Sequence, residues 1–152
     1  MNKRRQFISQ LTALLVAGPL AARAAVTGPV VQVYKSATCG CCSKWADHMR
    51  AAGFVVNATN VPDVNQYKLK YGVPPQLASC HTAIVEDYIV EGHVPADDVI
   101  KMLRQKPAIK GIAVPGMPMG SPGMESPNPE RYETIAFKAD GSTSVFAVHE
   151  PA

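Results

Sequence analysis

Apolar and polar positions along the chain alternate with two periods, and the switches between them set out the elements. Val30-Val31-Gln32-Val33-Tyr34-Lys35 is an apolar, alternating run that predicts a strand. Cys42, Trp45, Ala46 and Met49 then recur at i, i+3, i+4 and i+7, the buried stripe of a helix over about 42–52. Thr38 or Ser43 is positioned to cap it, and Gly53 to stop it. Phe54-Val55-Val56-Asn57 predicts a second strand. Asp63, with Gln66 three residues on, opens a short helix that runs to Tyr71 and ends at Gly72. Residues 72–81 form a loop, and 82–86 and 88–92 a strand pair turning at Glu86-Asp87. Pro95 begins a third helix whose inner face is Val99, Met102 and Leu103. Asp97 and Asp98 stand near its start and Lys101, Arg104 and Lys106 towards its end, both favourable to the helix dipole, and Pro107 stops it. Residues 107–131, rich in proline and glycine, predict a loop. Two alternating runs, 132–138 and 144–149, flank Asp140-Gly141 and predict a hairpin.

The resulting order, β-α-β-α-β-β-α with an added C-terminal β-hairpin, predicts an α/β protein of thioredoxin-like architecture. The first strand, helix and second strand fit a parallel pair joined by a right-handed crossover. No internal repeat and no second domain interrupt it, so 25–152 is expected to be one domain, as 152 residues allow.

Residues 1–24 fall outside that domain. Lys3-Arg4-Arg5 is a basic start, 8–22 a short, mildly apolar stretch broken by Ser9, Gln10 and Thr12, and Ala22-Arg23-Ala24 a small-residue cleavage site. This predicts an export signal cleaved near Ala24, not a membrane span, and a periplasmic destination. Arg4-Arg5-Gln6-Phe7-Ile8 also carries a partial twin-arginine pattern, with Lys3 where a serine or threonine is usual. No cysteine follows the cleavage site to take a lipid anchor. The signal holds Lys3, Arg4, Arg5 and Arg23 and no acidic residue, which leaves 11 basic against 12 acidic side chains in the rest. The basic character of the whole chain therefore belongs to the signal, and with no basic patch interleaved with aromatics, nucleic-acid binding is excluded.

Candidate chemistry concentrates in Thr38-Cys39-Gly40-Cys41-Cys42, where three of the four cysteines meet the start of the first helix. Unsatisfied N–H groups there favour thiolate, the form that attacks disulfides and binds soft metals. In a thioredoxin-like fold the loop before the third strand lies beside this point. Here that loop holds Cys80-His81, so Cys80 is expected to converge on Cys39, Cys41 and Cys42. In an oxidising compartment the fully paired forms join Cys80 to Cys41 or Cys42 and Cys39 to the other, because Cys41 and Cys42 are too close to bridge. Two purely structural disulfides are the bland alternative, though such scaffolds rarely crowd three cysteines together.

Two chemistries remain. Four sulfurs fit a soft ion, and adjacent thiols favour bridging among Cu(I) ions over a single zinc, which usually takes one C-x-x-C pair from each side. His81 is the best placed histidine; His48, His93 and His149 are expected to be solvated or hydrogen-bonded. Met117, Met119 and Met124 are candidate thioether ligands, with ordinary packing as their alternative. A thiol–disulfide oxidoreductase would instead use Cys39 to attack and Cys42 to resolve. Storage of copper and its transfer to another periplasmic copper-handling protein require the same residues. No Ser-His-Asp, paired-carboxylate or phosphate-loop pattern is present.

Val33-Tyr34-Lys35-Ser36-Ala37-Thr38-Cys39-Gly40-Cys41-Cys42, Cys80-His81-Thr82-Ala83, Gly92-His93-Val94-Pro95-Ala96 and the segment from Ala113 through Met117, Pro118 and Met119 to Met124-Glu125 together resemble the CopG-type periplasmic copper-resistance proteins. The resemblance implies a thioredoxin-like fold, a part in copper tolerance with copper redox as an added activity, and Cu(I) held by Cys39, Cys41, Cys42 and Cys80.

Overall fold

The structure, a computed structural model, describes residues 28–151; the export signal predicted over 1–24 lies outside them. Seven strands form one sheet in the order β2-β1-β3-β4-β5-β6-β7. The chain enters β1 (Val30–Lys35), crosses through α1 (Gly40–Ala51) to β2 (Val55–Asn60), and continues through α2 (Asn65–Tyr71) and a 3₁₀ turn at Pro75–Leu77. It then forms β3 (Thr82–Val85), β4 (Tyr88–Gly92), α3 (Ala96–Gln105), β5 (Gly111–Val114), β6 (Tyr132–Phe137) and β7 (Thr143–His149). The predicted β-α-β-α-β-β-α order is present in full. β1 pairs parallel to β2, β3 runs antiparallel to both β1 and β4, and the hairpin β6–β7 follows.

The predicted loop over 107–131 requires correction. Gly111–Val114 is a strand, parallel to β4 and antiparallel to β6, with all four residues buried. The C-terminal hairpin therefore joins the sheet through β5. Capping of α1 differs as well: Cys39 is its N-cap and no side chain caps it. Ser43 Oγ instead donates to the Cys39 carbonyl, while Ser36 and Thr38 bond each other. The start of α2 differs too: its N-cap is Val64, with no side-chain cap, rather than the predicted Asp63, whose carboxylate accepts the Asn65 N–H at 2.9 Å in the turn just before it.

Strand alternation gives the sheet two apolar faces. Val31, Val33, Val85, Val90, Ile112 and Val114 pack with Trp45 and Met49 of α1 and Val99 and Met102 of α3. On the opposite face Tyr34 stacks on Tyr67 of α2 at 4.1 Å, and Ile89, Ala113 and Phe137 pack with Val73 and Leu77. Trp45 is completely buried and its indole N–H donates to the Val94 carbonyl at 2.8 Å. Truncating such a side chain costs about 3–5 kcal/mol. It also fixes the first turn of α1, and so the cysteines, against the strand that leads into α3.

Candidate metal centre

The start of α1 and the loop before β3 meet at the ends of two neighbouring strands. Cys39, Cys41 and Cys42 come from the first, Cys80 from the second, and their four sulfurs all lie within 4.8 Å of one another. The predicted convergence across the sequence is present. Cys39 and Cys42 are joined by a disulfide, while Cys41 and Cys80 are free thiols. Cys41 Sγ is 3.4 Å from Cys39 Sγ, and Cys42 is wholly buried. Cys39, Cys41 and Cys80 are partly exposed, which gives the cluster one open side.

The loop carrying Cys80 is pinned on several sides. The Ser79 N–H donates to Glu91 Oε1 at 2.7 Å, and its hydroxyl donates to the Gly116 carbonyl. The Gly92 N–H donates to the His81 carbonyl at 3.0 Å. Gly92 has φ +72°, and a Cβ there would lie 2.5 Å from Ser79 Cβ and 2.7 Å from the Val114 carbonyl, so this crossing requires glycine.

Two histidines complete the surroundings. His81 is buried against Trp45, ring centres 4.4 Å apart, with Nδ1 3.4 Å from Cys80 Sγ and Nε2 without a hydrogen-bond partner among the described residues. His93 is buried too, with Nε2 2.8 Å from Cys80 Sγ and Nδ1 2.8 Å from the Pro122 carbonyl. A carbonyl only accepts, so Nδ1 carries the proton and Nε2 presents a lone pair to the thiol. Cys80, His81 and His93 thus form a second group of donor atoms within 4.8 Å, overlapping the four cysteines at Cys80.

Burial, reinforced by the neighbouring Cys41, pushes the Cys80 thiol up to about 12. Burial also holds His93 below the usual imidazole range, and His81 well below it, with His93 and the lysines Lys68 and Lys35 adding to the second effect. All three directions favour neutral groups, so Cys80 S–H donates to His93 Nε2. A soft cation bound by Cys80 would have to take the place of that thiol proton.

The methionine-bearing segment approaches the site at three points. Gly116 N–H reaches the Ala78 carbonyl at 3.4 Å, and Pro122 holds His93. Gly123 lies so close to α1 that a Cβ would stand 2.6 Å from the Cys41 carbonyl. Met117 and Met119 are about half exposed and Met124 partly buried. The backbone thus places Gly116, next to Met117, beside the Cys80 loop and Gly123, next to Met124, beside Cys41.

Solved structures carry the same fold around an established name. The chain is 40% identical to the copper resistance protein CopG in one form, over 81% of this chain and 99% of that one, with a TM-score of 0.77. A second form of CopG matches at the same identity and TM-score over 82% and 99%. The chain belongs to the CopG copper-resistance family. A family model described as a protein of unknown function, DUF411, matches residues 77–124, from the Cys80 loop through Met124. No curated protein sequence matches. The donor set fits a CopG family member that binds copper: four sulfurs, two imidazoles and no carboxylate among the grouped donors.

Two parts of the site escaped the sequence reading. His93 is hydrogen-bonded, as expected, but its partner is Cys80; only its place in the Gly92-His93-Val94-Pro95 motif set it apart from His48 and His149. His48 Nε2 accepts the Ala96 N–H, and His149 Nε2 bonds Asp98. The buried Lys68–Glu91 pair left no signal, because in sequence Lys68 is one of two lysines on an ordinary short helix.

Proposed function

We propose that this is a periplasmic copper-binding protein that holds Cu(I) on the thiolates of Cys39, Cys41, Cys42 and Cys80 and contributes to copper resistance. The observation that carries the reading is the convergence of four sulfurs within 4.8 Å. Soft sulfur donors select Cu(I), and the C-x-C-C spacing suits bridged, low-coordinate ions better than a lone tetrahedral zinc. His81 and His93 stand on the Cys80 side as nitrogen donors, and Met117, Met119 and Met124 as thioether donors on the open side. Residues 1–24 direct export and are cleaved near Ala24, leaving 25–152 as the working domain. Copper is exchanged with a second periplasmic copper-handling protein.

In the disulfide form two of the four sulfurs are withdrawn. Two electrons and two protons from a dithiol donor break the Cys39–Cys42 bond, return both thiols and leave the donor as a disulfide. Cu(I) then displaces thiol protons as it binds. The decisive measurement is anaerobic titration of the reduced protein with Cu(I), with the metal counted. More than one copper per chain, lost on Cys41→Ser or Cys80→Ser, supports the cluster; uptake unchanged by both substitutions overturns it.

The Cys39–Cys42 disulfide at the start of α1 favours a second reading, a thiol–disulfide oxidoreductase. Once that disulfide is reduced, Cys39, partly exposed, would attack a substrate disulfide and Cys42, fully buried, would resolve the mixed disulfide, reforming the Cys39–Cys42 bond. Rapid turnover of insulin or glutathione disulfides that tolerates Cys80→Ser would decide for it.

A further inference from the structure

On the sheet face opposite α1, directly beneath the Cys80 loop, Lys68 Nζ meets Glu91 Oε1 at 2.5 Å with side-chain exposures of 9% and 0%. Lys68 comes from α2 and Glu91 from β4. Thr82 of β3 joins them, donating to Glu91 Oε2 at 2.7 Å and accepting from Lys68 at 3.2 Å. The remaining contact of the carboxylate is the Ser79 backbone N–H at 2.7 Å, one residue before Cys80. A buried ion pair is often no more stabilising than an apolar pair of the same volume, so stability alone does not account for this one. An apolar pair cannot, however, accept the Ser79 N–H.

We propose that the Lys68–Glu91 pair positions the metal centre: Glu91, oriented by Lys68 and Thr82, fixes residue 79 and thereby the reach of Cys80 toward the three sulfurs of α1. The proposal rests on the copper reading of the four cysteines. Glu91 touches none of them and acts through the Ser79 backbone, as outer partners of metal ligands do. Lys68 extends the arrangement to α2, which otherwise covers the far side of the sheet.

The test removes the pair without stranding a charge. Lys68→Met with Glu91→Leu is compared with the wild type and with Lys68→Met with Glu91→Gln, which keeps an oxygen for the Ser79 N–H and leaves no unpaired charge. Each reduced protein is titrated with Cu(I) against a chromophoric Cu(I) chelator, and the thiolate-to-copper absorption and thermal midpoint are recorded. The double variant is expected to melt near the wild type, yet to hold Cu(I) about 10- to 100-fold more weakly with an altered absorption band. Lys68→Met with Glu91→Gln restores most of the affinity. Lys68→Met with Glu91→Met, closer in side-chain length, serves if the first pair does not fold. Unchanged Cu(I) affinity in any folded variant lacking the acceptor overturns the proposal alone. Failure of the wild type to bind Cu(I) overturns the copper reading and this inference with it.

Discussion

His93 Nε2 lies 2.8 Å from Cys80 Sγ while the opposite ring nitrogen is held at 2.8 Å by the Pro122 carbonyl. The carbonyl fixes the tautomer, so a single backbone atom of the methionine-bearing segment decides which face of the imidazole Cys80 sees. The thiol, the ring and the segment over the site are one connected unit. Disturbing any one of them is expected to register at the sulfurs.

The first consequence concerns His93 itself. His93→Phe keeps an aromatic ring of similar size but gives Cys80 no acceptor and leaves the Pro122 carbonyl unpaired. Cu(I) affinity, measured by competition with a chelator, is expected to fall about 10- to 100-fold, with the disulfide still able to form. An affinity equal to that of the wild type would show that the contact is only packing.

A second consequence concerns Gly123, at φ +88°. A Cβ there would lie 2.6 Å from the Cys41 carbonyl, 3.0 Å from Trp45 N and 3.3 Å from His93 Nδ1. The Glu125 carboxylate, held below its usual range by backbone N–H groups including that of Gly123, ties the turn down. Gly123→Ala is expected to destabilise the fold by about 1–3 kcal/mol, read from the urea midpoint. Gly141, in the open hairpin turn with no atom within 4 Å of a built Cβ, is the control for steric crowding.

Those two positions show what a sequence makes legible. The cysteine convergence follows from topology, because Cys39 sits where α1 begins and Cys80 where β3 begins. Both elements carry clear apolar periods, and the strand order did the rest. Gly111–Val114 had no such period: four apolar residues between Lys110 and Pro115 are too short to distinguish a buried strand from a loop. Lys68 and Glu91 are 23 residues apart on different elements, and only the finished sheet shows that both face inward. The roles of His93 and Gly123 depend on a loop path that local pattern does not encode.

Thiol reactivity offers a third check. In the disulfide form only Cys41 and Cys80 are free. Cys80, pushed up to about 12 by burial and by Cys41, has little of the reactive thiolate at pH 8. Brief treatment with iodoacetamide followed by peptide mass mapping is expected to label Cys41 first and Cys80 slowly, and all four only after reduction. Fast labelling at Cys80 would contradict its place between two buried imidazoles.

The last prediction turns on acid. Burial lowers His81, His93 and His48 from the ordinary 6.5, and in the folded protein each remains neutral where the unfolded chain begins to protonate. Below 6.5 the unfolded state therefore binds more protons than the native state, and stability falls as the pH falls. The stabilising difference is present in full above 6.5 and is lost on the way down to the folded-state values. Each histidine contributes a slope of at most about 1.4 kcal/mol per pH unit. The raised Cys80 acts only above its ordinary 9.0 and the lowered Glu125 only below its ordinary 4.5, so the interval from 7 to 5 isolates the histidines from both. Urea unfolding of the metal-free disulfide form across that interval is expected to show a steady loss of stability. His48→Gln, which keeps an acceptor for the Ala96 N–H, should make the slope shallower. A stability that holds level or rises between pH 7 and 5 would mean that the buried imidazoles take up protons in place, and the neutral Cys80–His93 pair would have to be abandoned.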